Sequence, residues 1–130
     1  MEKVILFDGK ETAFRSSGAT AILYKQAFKK DLLVEISKWR KNVKRIQENE
    51  EATEEERLEN SLEFLEITQR LAFIMNLEAT DKALFNKLSY EKFISWLMSL
   101  SGDAFGDKDV NLEIFSIWSK STEGTSNSKN

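Results

Sequence analysis

Cysteine and histidine are both missing from this chain, and glycine is scarce, with five in 130 residues. Without cysteine there can be no disulfide, no thiolate nucleophile and no sulfur ligand for a metal. The lack of histidine removes the commonest general base and the commonest metal ligand together. Ser16, Ser17 and Ser101 therefore have no imidazole to activate them. Gly102 and Gly106 are too sparse for a phosphate-cradling loop. No apolar run reaches the length that spans a bilayer. The opening MEKVILFDGK is cut off by Asp8-Gly9 before it could serve as a signal peptide. These absences point to an intracellular protein with no membrane partner, no metal and no cofactor, and they disfavour an enzyme.

What is present suits one soluble domain. Apolar residues make up 41% and charged residues 32%, enough of each for a packed core with a solvated surface. The core is anchored on LENSLEFLEITQRLAFIMNL, residues 58–77. Leu58, Leu62 and Leu65 form a stripe at helical spacing. By Leu71-Ala72-Phe73-Ile74-Met75 no polar face remains, so the second half of this helix must be covered from several sides. Thr53 is a good N-cap, and Glu56 can close a capping box with it.

Around that central helix the chain reads as mainly α, with a β-hairpin first and about five helices in all. EKVILF and KETAFR flank Asp8-Gly9, a pair that favours a type I′ turn. This register puts Ile5, Phe7, Thr12 and Phe14 on one face and Val4, Leu6 and Ala13 on the other, so both faces are apolar and the hairpin should lie against helices. Ser16-Ser17-Gly18 ends the strand ahead of a helix over residues 19–28, with Ile22, Leu23, Ala27 and Phe28 inward. Asp31 caps a second helix, whose stripe is Leu32, Ile36, Trp39, Val43 and Ile46. Residues 76–88 read as an irregular or partly helical link. Ser89 caps a fourth helix bearing Phe93, Ile94, Trp96, Leu97 and Leu100, stopped by Ser101-Gly102. A fifth begins near Asp109 or Asn111 and carries Val110, Ile114, Phe115 and Trp118. The domain should span residues 1–120, with 121–130 as a disordered tail that lacks large apolar groups.

Charge is divided along the chain. Residues 25–45 hold eight Lys/Arg and two Asp/Glu, and residues 48–59 hold seven Glu and one Arg. The Glu-rich block lacks the alternating ligands and turn glycine of a calcium loop, so it reads as solvated. Glu63 and Glu66 read as a polar edge rather than an acid–base pair. Lys38, Lys41, Lys44 and Arg45 lie near one another on the second helix, with Trp39 between them. That face is a candidate for nucleic acid or an acidic protein, though a solvated face is the simpler reading. Phe105, in SGDAFGD, is a candidate contact for a partner unless it folds back on the domain. Phe115 and Trp118 fit a core as well as a contact.

Three segments in order resemble the tail assembly chaperones of long-tailed phages and related prophages. The first is FDGKETAFRSSGATAILYKQAFKKDLL, through Asp8, Gly9, Lys10, Phe14, Tyr24, Phe28 and Asp31. The second is RLAFIMN, through Ala72, Phe73 and Met75. The third is FISWLMSL followed by NLEIFSIWSKST. The resemblance implies a non-enzymatic protein of the host cytoplasm that coats the tape-measure protein, promotes tail-tube assembly and is absent from the mature virion. It further implies a frameshift-extended form that recruits the major tail protein, and it leaves a homo-oligomer open. Ser128-Lys129-Asn130 can be encoded by a slippery A-run, and a segment appended after Thr122 would not disturb the core. The partner-binding candidates read from the residues themselves are Lys38, Lys41, Lys44, Arg45, Phe105, Phe115 and Trp118. The competing function is a small nucleic-acid-binding regulator that uses the basic second helix.

Overall fold

A computed structural model describes residues 1–81 and 84–127, with side chains through Lys120. Strands β1 (Glu2–Phe7) and β2 (Lys10–Arg15) pair antiparallel, Phe7 facing Lys10 and Glu2 facing Arg15. Asp8 and Gly9 take φ values of 52° and 76°. Left-handed conformation at both central residues defines the type I′ turn, which Asp-Gly favours. Ile5, Phe7 and Phe14 point into the core. Val4 and Leu6 on the other face are exposed, so the helices cover only one side of the hairpin.

Helix α1 (Thr20–Phe28) buries Thr20, Leu23, Tyr24, Ala27 and Phe28, one face at spacings of three and four. Ile22 falls outside that face and is 69% exposed, a correction to the inward role expected of it. A left-handed Lys29 ends α1, and the Asp31 carboxylate accepts from the Val34 amide to start α2 (Leu32–Glu48). Leu32, Ile36 and Ile46 of the expected stripe are buried, while Trp39 and Val43 are half-buried. The Glu-rich block forms the exposed turn and first helical turn between α2 and α3. Thr53 caps α3 through the Glu56 amide at 3.1 Å. The Glu56 carboxylate itself lies 3.5 Å from Arg45 of α2.

Helix α3 (Glu54–Thr80) is the longest element, 27 residues or about 40 Å. Its second half is the centre of the fold. Leu71 through Met75 are all buried, in a helix that packs against β2, α1, α2, α4 and α5. The helix continues to Thr80, so the link expected from residue 76 is shorter than the sequence suggests; a 3₁₀ turn, Leu84–Lys87, follows. Ser89 caps α4 (Tyr90–Met98) through the Lys92 amide. Phe28, Phe73, Phe93 and Trp96 then meet as an aromatic cluster with centroids 5.0–6.3 Å apart. Helix α5 (Lys108–Asn127) buries Ile114, Ile117 and Trp118 against α3 and the hairpin. Its backbone is helical to Asn127, past the point where the sequence reads as a tail. The side chains of 121–127 and all of 128–130 lie outside the described residues. No described helix is long and apolar enough to cross a membrane.

The first half of α3 departs from expectation. Leu58 and Leu62, expected to start the core stripe, are 59% and 46% exposed, and Leu65 is half-buried. α2 covers another side of α3 here, through Trp39 against Phe64, with ring centroids 4.8 Å apart and planes tilted by 31°. Helical periodicity locates an apolar face, but a second element must be present to bury it.

Candidate partner-binding site

Trp39 of α2, Phe64 of α3 and Phe115 of α5 meet with ring centroids 4.8–6.2 Å apart. Trp39 and Phe64 are also part of the wall of an open groove of about 410 Å³ between α3 and α5. Ser61 and Leu65 line its α3 side, and Lys108, Asn111 and Leu112 its α5 side. Leu112 is exposed, and Leu65, Leu62 and Leu58 continue the apolar surface along α3. The size lies within the range of ligand pockets, and the lining is mostly apolar.

The end of the groove is the loop joining α4 to α5, and the hairpin positions it. Asp8 at the hairpin tip accepts hydrogen bonds from the Ser101 hydroxyl and from the Ser101 amide at 3.1 Å. Phe105 folds back onto Phe7 and Trp96, at 5.1 and 6.2 Å. Asn111 Nδ2 donates to the Phe105 carbonyl at 2.9 Å, tying α5 to the same loop. The two bonds from Ser101 hold the Asp8 carboxyl below its ordinary pKa of 3.8. A depressed folded pKa means the contribution is complete above the unfolded value and is lost as pH falls through the folded one. Acidification below pH 3.8 should therefore release the loop from the hairpin tip. The Ser101 amide resonance should titrate with an apparent pKa under 3.8, and Asp8→Asn should abolish that step. A flat Ser101 resonance across the acid range would show that the contact is not made.

Three groove residues carry buried polar atoms without a hydrogen-bond partner among the described residues: Trp39 Nε1, Asn60 Oδ1 and Asn111 Oδ1. Unpaired buried donors and acceptors are uncommon in folded proteins. Three of the four such atoms among the described residues belong to this groove's wall, next to an exposed leucine stripe; the fourth, Thr68 Oγ1, does not.

The candidates from the basic helix lie elsewhere. Lys41 and Lys44 border a separate hollow with Leu33, Arg40 and Trp118. Trp118 is core, and Phe115 is half-buried against Trp39 and Phe64. Arg45 pairs with Glu56 across exposed surface, and Lys38 is exposed. The structure thus brings Lys41, Lys44 and Trp118 together, places Phe105 at the end of the groove and sets Arg45 apart. Leu58, Leu62 and Leu112 do not read as surface in the sequence, because an apolar helical stripe looks the same whether covered or open.

One buried polar cluster joins α1, α2 and α3. The Tyr24 hydroxyl donates to Glu35 Oε1 at 2.6 Å and accepts from Arg70 Nε at 2.7 Å. Arg70 Nη2 reaches Glu35 Oε2 at 2.9 Å. Burial, then the Glu35 hydrogen bond, pushes the Tyr24 hydroxyl well above its ordinary range, so it stays a donor. None of the three borders the groove, and the cluster acts as a clamp between helices. Compared with protein-family models, with curated proteins and with solved structures, the chain matches none.

Proposed function

We propose that this protein is a non-catalytic tail assembly chaperone of a long-tailed phage, and that it holds helical segments of the tape-measure protein in the groove between α3 and α5. The observation that carries the reading is the stripe of exposed Leu58 and Leu62 and half-buried Leu65 running beside the groove lined by Phe64 and Leu112. An amphipathic client helix laid there would bury its own apolar face at i, i+3, i+4 and i+7 spacing. The order of the FDGKETAF, RLAFIMN and FISWLMSL segments supports the phage assignment. On this reading the protein works in the cytoplasm of the host, is absent from the finished virion, and has a frameshift-extended form that recruits the major tail protein. Homo-oligomers remain compatible with it.

Co-expression should raise the solubility of the tape-measure protein and give a joint peak on size-exclusion chromatography. Leu62→Glu should remove that peak without unfolding this protein, because Leu62 is a surface residue. A client that stays insoluble with and without this protein would count against the reading. The second reading is a nucleic-acid regulator, favoured by Arg40, Lys41 and Lys44 around one hollow of α2. Duplex binding that weakens steeply with salt, and that Lys41→Glu abolishes, would support it instead.

A further inference from the structure

The hollow between α2 and α5 is rimmed by cations. Leu33, Ile36 and Trp118 form its apolar floor, and Arg40, Lys41 and Lys44 are the only charged residues around its volume of about 320 Å³. Ile36 and Trp118 are buried, but Leu33 is 57% exposed. The three cations are exposed and make no ion pair among the described residues. A surface of complementary chemistry stands elsewhere on the chain. Glu50, Glu51, Glu54 and Glu55 of the Glu-rich block are exposed and likewise unpaired among the described residues. Glu54 and Glu55 precede Leu58 by four and three residues, so the three share one face of α3. Leu58 is 59% exposed, which makes that face a ridge of carboxylates with a leucine beside them. Within one chain the two surfaces stay apart. No glutamate lines the hollow, and the one ion pair between α2 and the Glu-rich block, among the described residues, is Arg45 to Glu56.

We infer that the hollow takes the opening of α3 from a second copy of this chain: that copy's Glu54 and Glu55 face Arg40, Lys41 and Lys44, and its Leu58 rests on Leu33 and Trp118. The chain carries both halves of the contact, matched in charge and in apolar content. Covering Leu33 and Leu58 supplies the attraction. The charges choose the partner and its orientation, because a basic segment at the same place is repelled. A nucleic acid would meet the three cations through its phosphates and leave the exposed Leu33 without a cover. Hollow and ridge are different patches, so the contact is head-to-tail and builds rings or open chains rather than a closed two-fold pair. This inference does not depend on the client reading. It borrows Leu58 from the client stripe and leaves the groove between α3 and α5 unused.

Sedimentation velocity of the full chain, with no client present, tests it. At low salt the chain should sediment as a dimer or larger species that grows with concentration. At about 0.5 M salt, where the Debye length is about 4 Å, it should sediment as a monomer. The pair Lys41→Glu, Lys44→Glu reverses the hollow, and the pair Glu54→Lys, Glu55→Lys reverses the ridge. Either double variant alone should self-associate at least about tenfold more weakly than the unaltered chain, since like charges then face each other. Mixed together, the two should associate again, because the acidic hollow of one accepts the basic ridge of the other. All four residues are exposed, so both variants should keep the thermal unfolding curve of the unaltered chain. A monomer at low salt up to about 1 mM protein overturns the inference. Association that survives both reversals overturns it too, as does a mixture that stays monomeric. Duplex DNA that binds the unaltered chain but not the Lys41→Glu, Lys44→Glu variant, with no self-association, assigns the hollow to nucleic acid instead.

Discussion

Arg70→Ala is expected to lower stability by about 3 kcal/mol, the lower end of the range for breaking a buried charge pair. The reason is what the substitution leaves behind. Arg70 donates to both Tyr24 and Glu35, and its own side chain is 12% exposed and that of Glu35 20%. With Arg70 gone, the Glu35 carboxylate keeps only the Tyr24 hydroxyl and sits in a site too dry to solvate it fully. The partial exposure of Glu35 lets some water in, which keeps the cost from the top of the range. The guanidinium also lies 5.8 Å from the Tyr24 ring centroid, so packing is lost with the charge. Arg70→Lys should recover only part, because an ammonium cannot reproduce the fork that reaches Tyr24 and Glu35 together. Urea unfolding checks the first figure. A double substitution with Glu35→Ala should cost less than the two single changes added together, since each alone strands the other's partner. A loss under about 1 kcal/mol for Arg70→Ala would place the cluster among solvated surface pairs.

Ile74→Ala and Leu58→Ala should differ widely although both residues belong to α3. Ile74 is fully buried in the half of α3 that holds all of its buried residues. Truncating it removes apolar burial and leaves a cavity, at a cost of about 2–5 kcal/mol. Leu58 is 59% exposed, and its truncation should stay within about 0.5 kcal/mol. Leu65, read from sequence as core like Ile74, borders the groove and should fall between the two. For a domain of this size the Ile74 change should lower Tm by roughly 10 °C. Similar Tm values for the Ile74 and Leu58 variants would mean that α3 is packed evenly along its length, and the open stripe would then have to be abandoned.

The comparison within α3 also shows where legibility in the sequence ends. Thr53, Asp31 and Ser89 mark helix starts because a side-chain oxygen three residues before an orphan amide does the same work in any context. Asp8-Gly9 marks the hairpin because both residues must accept positive φ, a local demand. The burial of Leu71 through Met75 was equally legible, since a helix with no polar side has nowhere to face water.

The candidate groove was not legible. Phe105 is placed by the hairpin tip that holds its loop: Asp8 and Ser101 are far apart in the chain, and no spacing rule links them. The Tyr24–Glu35–Arg70 clamp likewise depends on three helices meeting, and each residue alone reads as an ordinary surface group.

By itself the sequence determined the hairpin turn, the side-chain caps that open α2, α3 and α4, and the helix half that must be buried, because those follow from interactions within a few residues or from the lack of any polar face. The tertiary structure decided which apolar stripes find a cover. Leu58 and Leu62 have the pattern of core residues and lie exposed, because burial requires a facing element and periodicity carries no information about whether one is there.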